Sequence, residues 1–434
     1  MIIRNKVIHL ALLLAFACSA LNAQTVTGTI SHGANPDKLK LVVILARHGV
    51  RSPTWTLDRL NTYSSLPWPV WSVAPGDLTA RGAELLKRMG AYNRAFIAEA
   101  GLFPAKGCSA SAESYIWADV DRRNQASGRA MADSLFPGCA AVVHSLTGSD
   151  NDPLFHPAAA GIDPADTDII FKEFSKRVAD LPRSQYSDLL TQMQRVLLGC
   201  KLDEDCTPQK QPAIRIMDEK EGVTRGTEDK VVTMKGPLTE AASFAEDFLL
   251  EYADGMPLES VGWGKVDEAQ VRKFLNLHSI YFDLMHRTPS IAKIEGSNMM
   301  DHIARTLQQG VEGKPVAGAI GDPGTKLVLL DGHDTTIAGV ATLLGLHWDL
   351  DGRVDDTPPG TELIFELWQT PQSTYRVHVS IAMQTLRQMR EVQELTLANP
   401  PAKQVVTVEG CTGKQHSCNW EEFRAIAETA TKKK

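Results

Sequence analysis

Leu41-Val42-Val43-Ile44-Leu45-Ala46-Arg47-His48-Gly49-Val50-Arg51-Ser52-Pro53 passes from an apolar run directly into a basic one that contains a histidine. The first five residues are apolar and rich in β-branched side chains, the pattern of a strand buried on both faces. Strands of this kind are parallel and helix-covered in α/β proteins, and ligands bind beyond their carboxyl ends. At that end the chain places His48 between Arg47 and Arg51. A guanidinium is planar, permanently charged and matched to phosphate oxygens, and an imidazole beside such groups can attack phosphorus. A basic strand-to-loop turn with a surface histidine is the plainer reading of the same residues.

A second buried-strand pattern, Lys326-Leu327-Val328-Leu329-Leu330, leads into Asp331-Gly332-His333-Asp334-Thr335-Thr336 and then a helical run over 337–344. The order repeats: strand end, glycine-containing turn, histidine, helix. If the two strands are parallel neighbours, both histidines reach one sheet edge although most of the chain separates them. The helix start behind His333 adds backbone N–H groups and a dipole that favour an anion. Asp334 or Thr335 as a simple helix cap is the competing reading. A third segment, Asp119-Val120-Asp121-Arg122-Arg123, follows the short strand pattern Tyr115-Ile116-Trp117-Ala118, and one of its arginines can reach the same edge. Arg122 fits a solvated helix start.

Around these segments the pattern is α/β. Residues 57–76 read as a long loop rich in Pro, Ser and Trp, and Thr79 as the cap of a helix ending near Gly101. Residues 121–136 read as a helix, 133–164 as turn-rich, and 169–307 as mainly helical, with 208–235 a polar surface loop. Residues 362–368 and 375–383 read as adjacent antiparallel strands. The expected architecture is a mixed, mostly parallel sheet flanked by helices, built from 36–154 and 301–434, with a mainly helical cap inserted at 155–300.

Met1-Ile2-Ile3-Arg4-Asn5-Lys6, an apolar stretch over 7–20 and Ala23 have the form of a secretory signal peptide spanning 1–23. That stretch is shorter than the ~18 apolar residues a membrane span requires. Cys18 sits in a poor lipobox. The mature chain keeps six cysteines in sequence-near pairs, Cys108 with Cys139, Cys200 with Cys206 and Cys411 with Cys418. An even number in an exported chain argues for disulfides, and proximity selects this pairing from fifteen possible ones. The net charge of −7 excludes nucleic acid and anionic membrane as obvious partners. A periplasmic or secreted monomer is expected.

Taken together the segments resemble the histidine acid phosphatase family, in the branch of bacterial periplasmic enzymes that includes phytases and glucose-1-phosphatase. The similarity covers R-H-G-V-R-x-P-T at 47–54, L-T-x-R-G at 78–82, A-D-V-D-x-R at 118–123, G-M-P at 255–257, G-W-G at 262–264, G-H-D-T at 332–335 and T-P-P-G at 357–360. The resemblance implies that His48 is the nucleophile and forms a phosphohistidine. It implies that Arg47, Arg51, Arg123 and His333 hold the phosphoryl oxygens and that Asp334 protonates the leaving alcohol. Thr54 would contact phosphate or substrate, and Glu246, in the cap, would stand on the substrate side. The implied partner is a small phosphomonoester, phytate and related organic phosphates foremost, with no cofactor and no metal. A broad acid phosphatase or a glucose-1-phosphatase is the alternative.

Elementary chemistry fits these roles. Phosphoryl transfer needs charge on three equatorial oxygens to be stabilised. An alkoxide leaves poorly, so a general acid contributes roughly 10²–10⁴-fold, and a carboxyl donates only while protonated, which points to an acidic optimum.

The chain departs from the bacterial phytases at Trp55, where many of them carry a lysine that contacts peripheral phosphates. Arg59, Lys87 and Arg122 are the candidates to compensate. Trp55, Trp68 and Trp71 line the pocket mouth or are buried under the cap, burial being the simpler reading. His278 and His286 lack an i,i+4 partner, and His144, His156, His302, His347, His378 and His416 stand in no motif, so most of them read as surface or satisfied core residues. A mutase of the wider superfamily conflicts with export. A non-catalytic phosphate-ester binder predicts loss of the nucleophile or the acid, yet His48 and Asp334 are both present.

Overall fold

The apolar run that opens this chain's motif is the centre of a sheet in the computed structural model, which describes residues 37–148, 151–162, 166–202, 205–208, 210–226 and 230–432. The leader expected at 1–23, with Cys18, lies outside the described residues. The sheet contains β1 (Lys38–Arg47), β2 (Ser114–Ala118), β3 (Val143–His144), β4 (Leu327–Gly332), β5 (Glu362–Gln369), β6 (Tyr375–Met383), β7 (Ala402–Val406) and β8 (Cys418–Asn419). Its order is β7-β6-β5-β1-β4-β2-β3, with β8 beside β6. Strands β1, β4, β2 and β3 run parallel, whereas β5 to β8 pair antiparallel, so the sheet is mixed as expected.

Register explains the convergence of the motifs. Arg47 lies opposite Gly332 across β1 and β4, and Ala118 of β2 lies opposite Asp331. Three sequence-distant segments therefore leave the sheet at one edge.

The described helices used below are α1 (Leu57–Thr62), α2 (Ala80–Glu99), α3 (Arg122–Leu135), α4 (Thr167–Asp180), α5 (Ser187–Leu197), α6 (Pro237–Ala253), α7 (Glu268–His286), α8 (Pro289–Glu312), α9 (Asp334–Leu343) and α10 (Trp420–Thr431). Leu41, Val43 and Leu45 pack on Ile303 and Leu307 of α8, Ile337 of α9 and Phe423 of α10. Val42 and Ile44 face the other way, onto Met89 of α2 and Met131 of α3. A register shift between Leu39 and Leu41 puts Leu39 on the same side as Val42. Each fully buried side chain of this size contributes roughly 1.5–3 kcal/mol, so both helical layers fix the strand.

Helices α4 to α7 share a third apolar cluster, which also takes in Val50, Leu60 and Leu85. Trp68 is buried there, stacked on Phe244 and Phe248 of α6 at 5.5 and 5.4 Å. Trp55 and Trp71 are partly buried against the same cluster.

Two expectations need correction. The stretch 57–76 opens with helix α1, capped by Thr56 and anchored by buried Leu60; six residues are too few to show a helical period. The stretch 208–235 contains a hairpin, Gly222–Arg225 with Val232–Lys235, because Val232 and Met234 turn inward onto the third cluster. The three expected disulfides are present: Cys108–Cys139, Cys200–Cys206 and Cys411–Cys418. Among the described residues no helix is long and apolar enough to cross a membrane.

Helix α9, which carries Asp334, is positioned by a close crossing with α8. A Cβ at Gly296 would lie 2.5 Å from the Gly339 carbonyl carbon, and that contact is backbone that cannot swing away. Gly296→Ala is therefore expected to lower stability by about 1–3 kcal/mol, read as a reduced midpoint in urea denaturation. An unchanged midpoint would show that the helices can separate freely.

Candidate active site

Arg47 is the last residue of β1, and its buried side chain is held from several sides. Its Nη1 donates to the Thr357 carbonyl at 2.5 Å, and its Nη2 pairs with Asp334 Oδ2 at 2.8 Å and with Glu246 Oε1. The T-P-P-G segment thus supports the motif, because Gly360 N–H also donates to the His48 carbonyl at 3.0 Å. Arg51 Nη2 reaches the other oxygen of Glu246 at 3.0 Å. Glu246, from α6, therefore joins the two guanidiniums.

The L-T-x-R-G segment supports the turn from below. Thr79 caps α2 by accepting from Gly82 N–H at 2.9 Å. A Cβ at Gly82 would lie 2.1 Å from the Val50 carbonyl oxygen, so only glycine lets α2 approach the turn that carries His48. Arg123 enters at the start of α3, paired with Asp121 at 2.5 Å. Asn124 ties this helix to β4, donating to Asp331 Oδ1 and the Gly332 carbonyl at 3.1 and 2.6 Å.

His48 is buried, and its Nδ1 lies 2.9 Å from the Gly49 carbonyl. A carbonyl only accepts, so Nδ1 carries the hydrogen and Nε2 carries the lone pair. Burial, then the charges of Arg47, Arg123, Arg51 and His333, push this imidazole well below its ordinary pKa. These surroundings favour its neutral form. His333 caps α9 with its ring centroid 5.8 Å from that of His48.

His333 Nε2 lies 2.6 Å from Asp119 Oδ2, and His156 Nε2 lies 2.7 Å from the same oxygen. Asp119 is fully buried. Burial opposes its ionisation, but hydrogen bonds from His156 and His333 outweigh that and hold the carboxyl below the usual range. Asp334 shows the same competition: burial raises its pKa, and the Arg47 charge, helped by His278 and His286, leaves it lowered overall.

Arg47, His48, Arg51, Thr54, Arg123, His333 and Asp334 line one cavity of about 470 Å³. Glu246 sits behind Arg47 and Arg51 instead of on the lining. A cleft of similar volume, about 480 Å³, lies between Gln185, Asn276 and Arg287 and has no histidine in its wall, so the chemistry belongs to the first.

The structure also brings in residues that no sequence period marked. His156, His286, Glu295 and Lys230 line the cavity, and His278 lies with Glu246 and Asp334 in a cluster whose polar atoms are within 4.8 Å of one another. The expectation that His156, His278 and His286 were bystanders is corrected here, because tertiary packing alone brings them to the edge. Asp119 was legible in principle, as an acid directly after a buried strand.

Residues 38–382 match the histidine phosphatase superfamily (branch 2). The chain is 35% identical to phytase AppA of Escherichia coli (strain K12) over 408 residues, 91% of this chain and 92% of that one. It is 26% identical to a glucose-1-phosphatase of Salmonella typhimurium over 403 residues, covering 91% and 93%. Hafnia alvei phytase in complex with tartrate superposes with a TM-score of 0.82 at 32% identity, covering 92% of this chain and 98% of that one. With the paired strand-end histidines, the arginine ring and this full-length similarity, the chain belongs to branch 2 of the histidine phosphatase superfamily and is a histidine acid phosphatase.

Proposed function

We propose that the protein hydrolyses organic phosphomonoesters through a phosphohistidine on His48. The observation that carries this reading is the His48 tautomer: Nε2 holds a lone pair inside a ring formed by Arg47, Arg51 and Arg123. In the first step Nε2 attacks phosphorus and the P–O bond to the leaving group breaks. Asp334 gives its proton to that oxygen. Water then attacks phosphorus, the P–N bond breaks, Asp334 takes up a proton from the water, and phosphate leaves.

Asp119 fits as a positioning residue. Because His333 Nε2 lies on Asp119 Oδ2, Nδ1 is the ring nitrogen left to face a phosphoryl oxygen, and the Asp119 carboxylate fixes that orientation. Asp119→Asn is expected to raise the inhibition constant of inorganic phosphate by about tenfold, since charged hydrogen bonds contribute roughly 1.5–3 kcal/mol. Asp119→Glu, which keeps a carboxylate against His333, should recover part of that affinity. An equal loss in the glutamate variant would mark a merely structural role.

Glu246 orients Arg47 and Arg51, and Thr54, exposed on the cavity wall, contacts the incoming ester. The helices within 155–300 act as a cap over the sheet edge. Export to an oxidising compartment is supported by the leader pattern and the three disulfides. The names of relatives supply two esters to choose between, phytate and glucose 1-phosphate, within the broader class of organic phosphomonoesters. The test is phosphate release by the oxidised protein at about pH 4–6, with EDTA, from phytate, glucose 1-phosphate and an aryl phosphate. Release from none of the three would overturn the reading.

A further inference from the structure

The cavity has two chemically different halves. Around His48 it is cationic; beyond Asp334 it is walled by Val232, Met285 and Ile291, with Tyr281 beside them. Among the described residues lining this second half, the cationic side chains are Lys230 and His286. His286 Nδ1 lies 2.9 Å from Glu295 Oε2. Burial works against charge on His286, but Glu295 outweighs it and raises the imidazole pKa, so in acid the pair is an imidazolium matched by its own carboxylate. The remaining positive charge on that wall is Lys230.

The residues expected to replace the missing lysine do not reach the cavity. Trp55 lies under the Arg59 guanidinium, 3.5 Å from its ring centroid, and neither lines the cavity. Arg122 is 85% exposed and paired with Asp77, and Lys87 is exposed on α2.

A ring bearing six phosphates brings five more anions once one is seated over His48. Each needs a charge-assisted donor, and each is repelled by a carboxylate at about 4–6 Å. Among the described residues this wall supplies one cation outside an ion pair, Lys230, and one pair, His286 with Glu295, whose charges cancel. Glu295 Oε1 has no protein hydrogen-bond partner among the described residues, which makes it an acceptor for a hydroxyl. The apolar wall beside it suits the C–H face of a ring.

We propose, resting on the phosphatase reading above, that Glu295 makes the leaving-group half of this cavity select hydroxylated leaving groups with at most one further phosphate, and disfavour densely phosphorylated rings. Hexose monophosphates are the matching class.

The test compares kcat/KM for glucose 1-phosphate, inositol hexakisphosphate and an aryl phosphate at about pH 5 in the wild type and in Glu295→Arg, Glu295→Gln and Lys230→Ala. The wild type should favour the hexose phosphate over the hexakisphosphate by about tenfold or more, and Glu295→Arg should move that ratio toward the hexakisphosphate by about 10–100-fold, mainly through KM. Glu295→Gln should move it part of the way, and Lys230→Ala in the opposite direction. If Glu295→Arg fails to fold, the glutamine and Lys230→Ala variants carry the decision. A wild type that prefers hexakisphosphate, or ratios unmoved by the variants that fold, would overturn this selectivity while aryl phosphate release leaves the phosphatase reading standing. No release from any ester would remove both.

Discussion

His48→Ala is expected to reduce phosphate release from every ester by at least about 10⁴-fold, because it removes the atom that bonds to phosphorus. The loss should fall on kcat, since Arg47, Arg51 and Arg123 remain to bind the phosphoryl group. Rapid quenching of the wild type with a labelled ester should trap a phosphoenzyme that is stable in alkali and labile in acid, as a P–N bond is. The variant should trap none. Retention of full hydrolysis without His48 would remove the proposed mechanism outright, whatever the substrate.

Asp334→Asn should separate the proton transfer from the phosphoryl transfer. For an alkyl leaving group the loss is expected to be roughly 10²–10⁴-fold, whereas an aryl phosphate, whose phenolate departs unaided, should lose less than about tenfold. The pH dependence follows from the salt bridge to Arg47 at 2.8 Å. That charge outweighs burial and holds the Asp334 carboxyl low. A phosphoryl group competes for Arg47 and adds negative charge beside Asp334, so both changes raise the carboxyl pKa in the complex. As pH rises through that raised value the protonated fraction falls tenfold per unit, and kcat for alkyl esters should fall with it. On the acid side the lowered pKa of His48 favours its neutral form. The asparagine variant should lack the alkaline limb. If that limb persists unchanged, another group donates the proton.

The two buried strands were readable because parallel, doubly covered strands need apolar residues on both faces, and Leu41 to Leu45 and Leu327 to Leu330 supply them. Their neighbouring placement then determined where His48 and His333 meet. Helix α1 was not readable, since six residues hold too little pattern and its stability comes from Leu60 joining a distant cluster. His156, His286 and Glu295 were hidden for a related reason. Glu295 and His286 occupy positions on α8 and α7 that look like any half-polar helical surface, and only the crossing of those helices turns them toward Asp334. Trp55 was the informative exception: its identity flagged a change in the ligand wall, although the ring itself packs away from it.

The bridging of Arg47 and Arg51 by Glu246, together with the Arg47–Asp334 contact, means that this site carries its own counter-ions. A phosphoryl group enters by competing with tethered carboxylates, so the site it approaches is already largely neutralised. Ligand affinity should then respond weakly to ionic strength, unlike binding to a bare cluster of cations. The same exchange runs in reverse at the end of the cycle. Inorganic phosphate faces two carboxylates already positioned to reclaim the guanidiniums, so release of the product is assisted by the protein instead of left to diffusion.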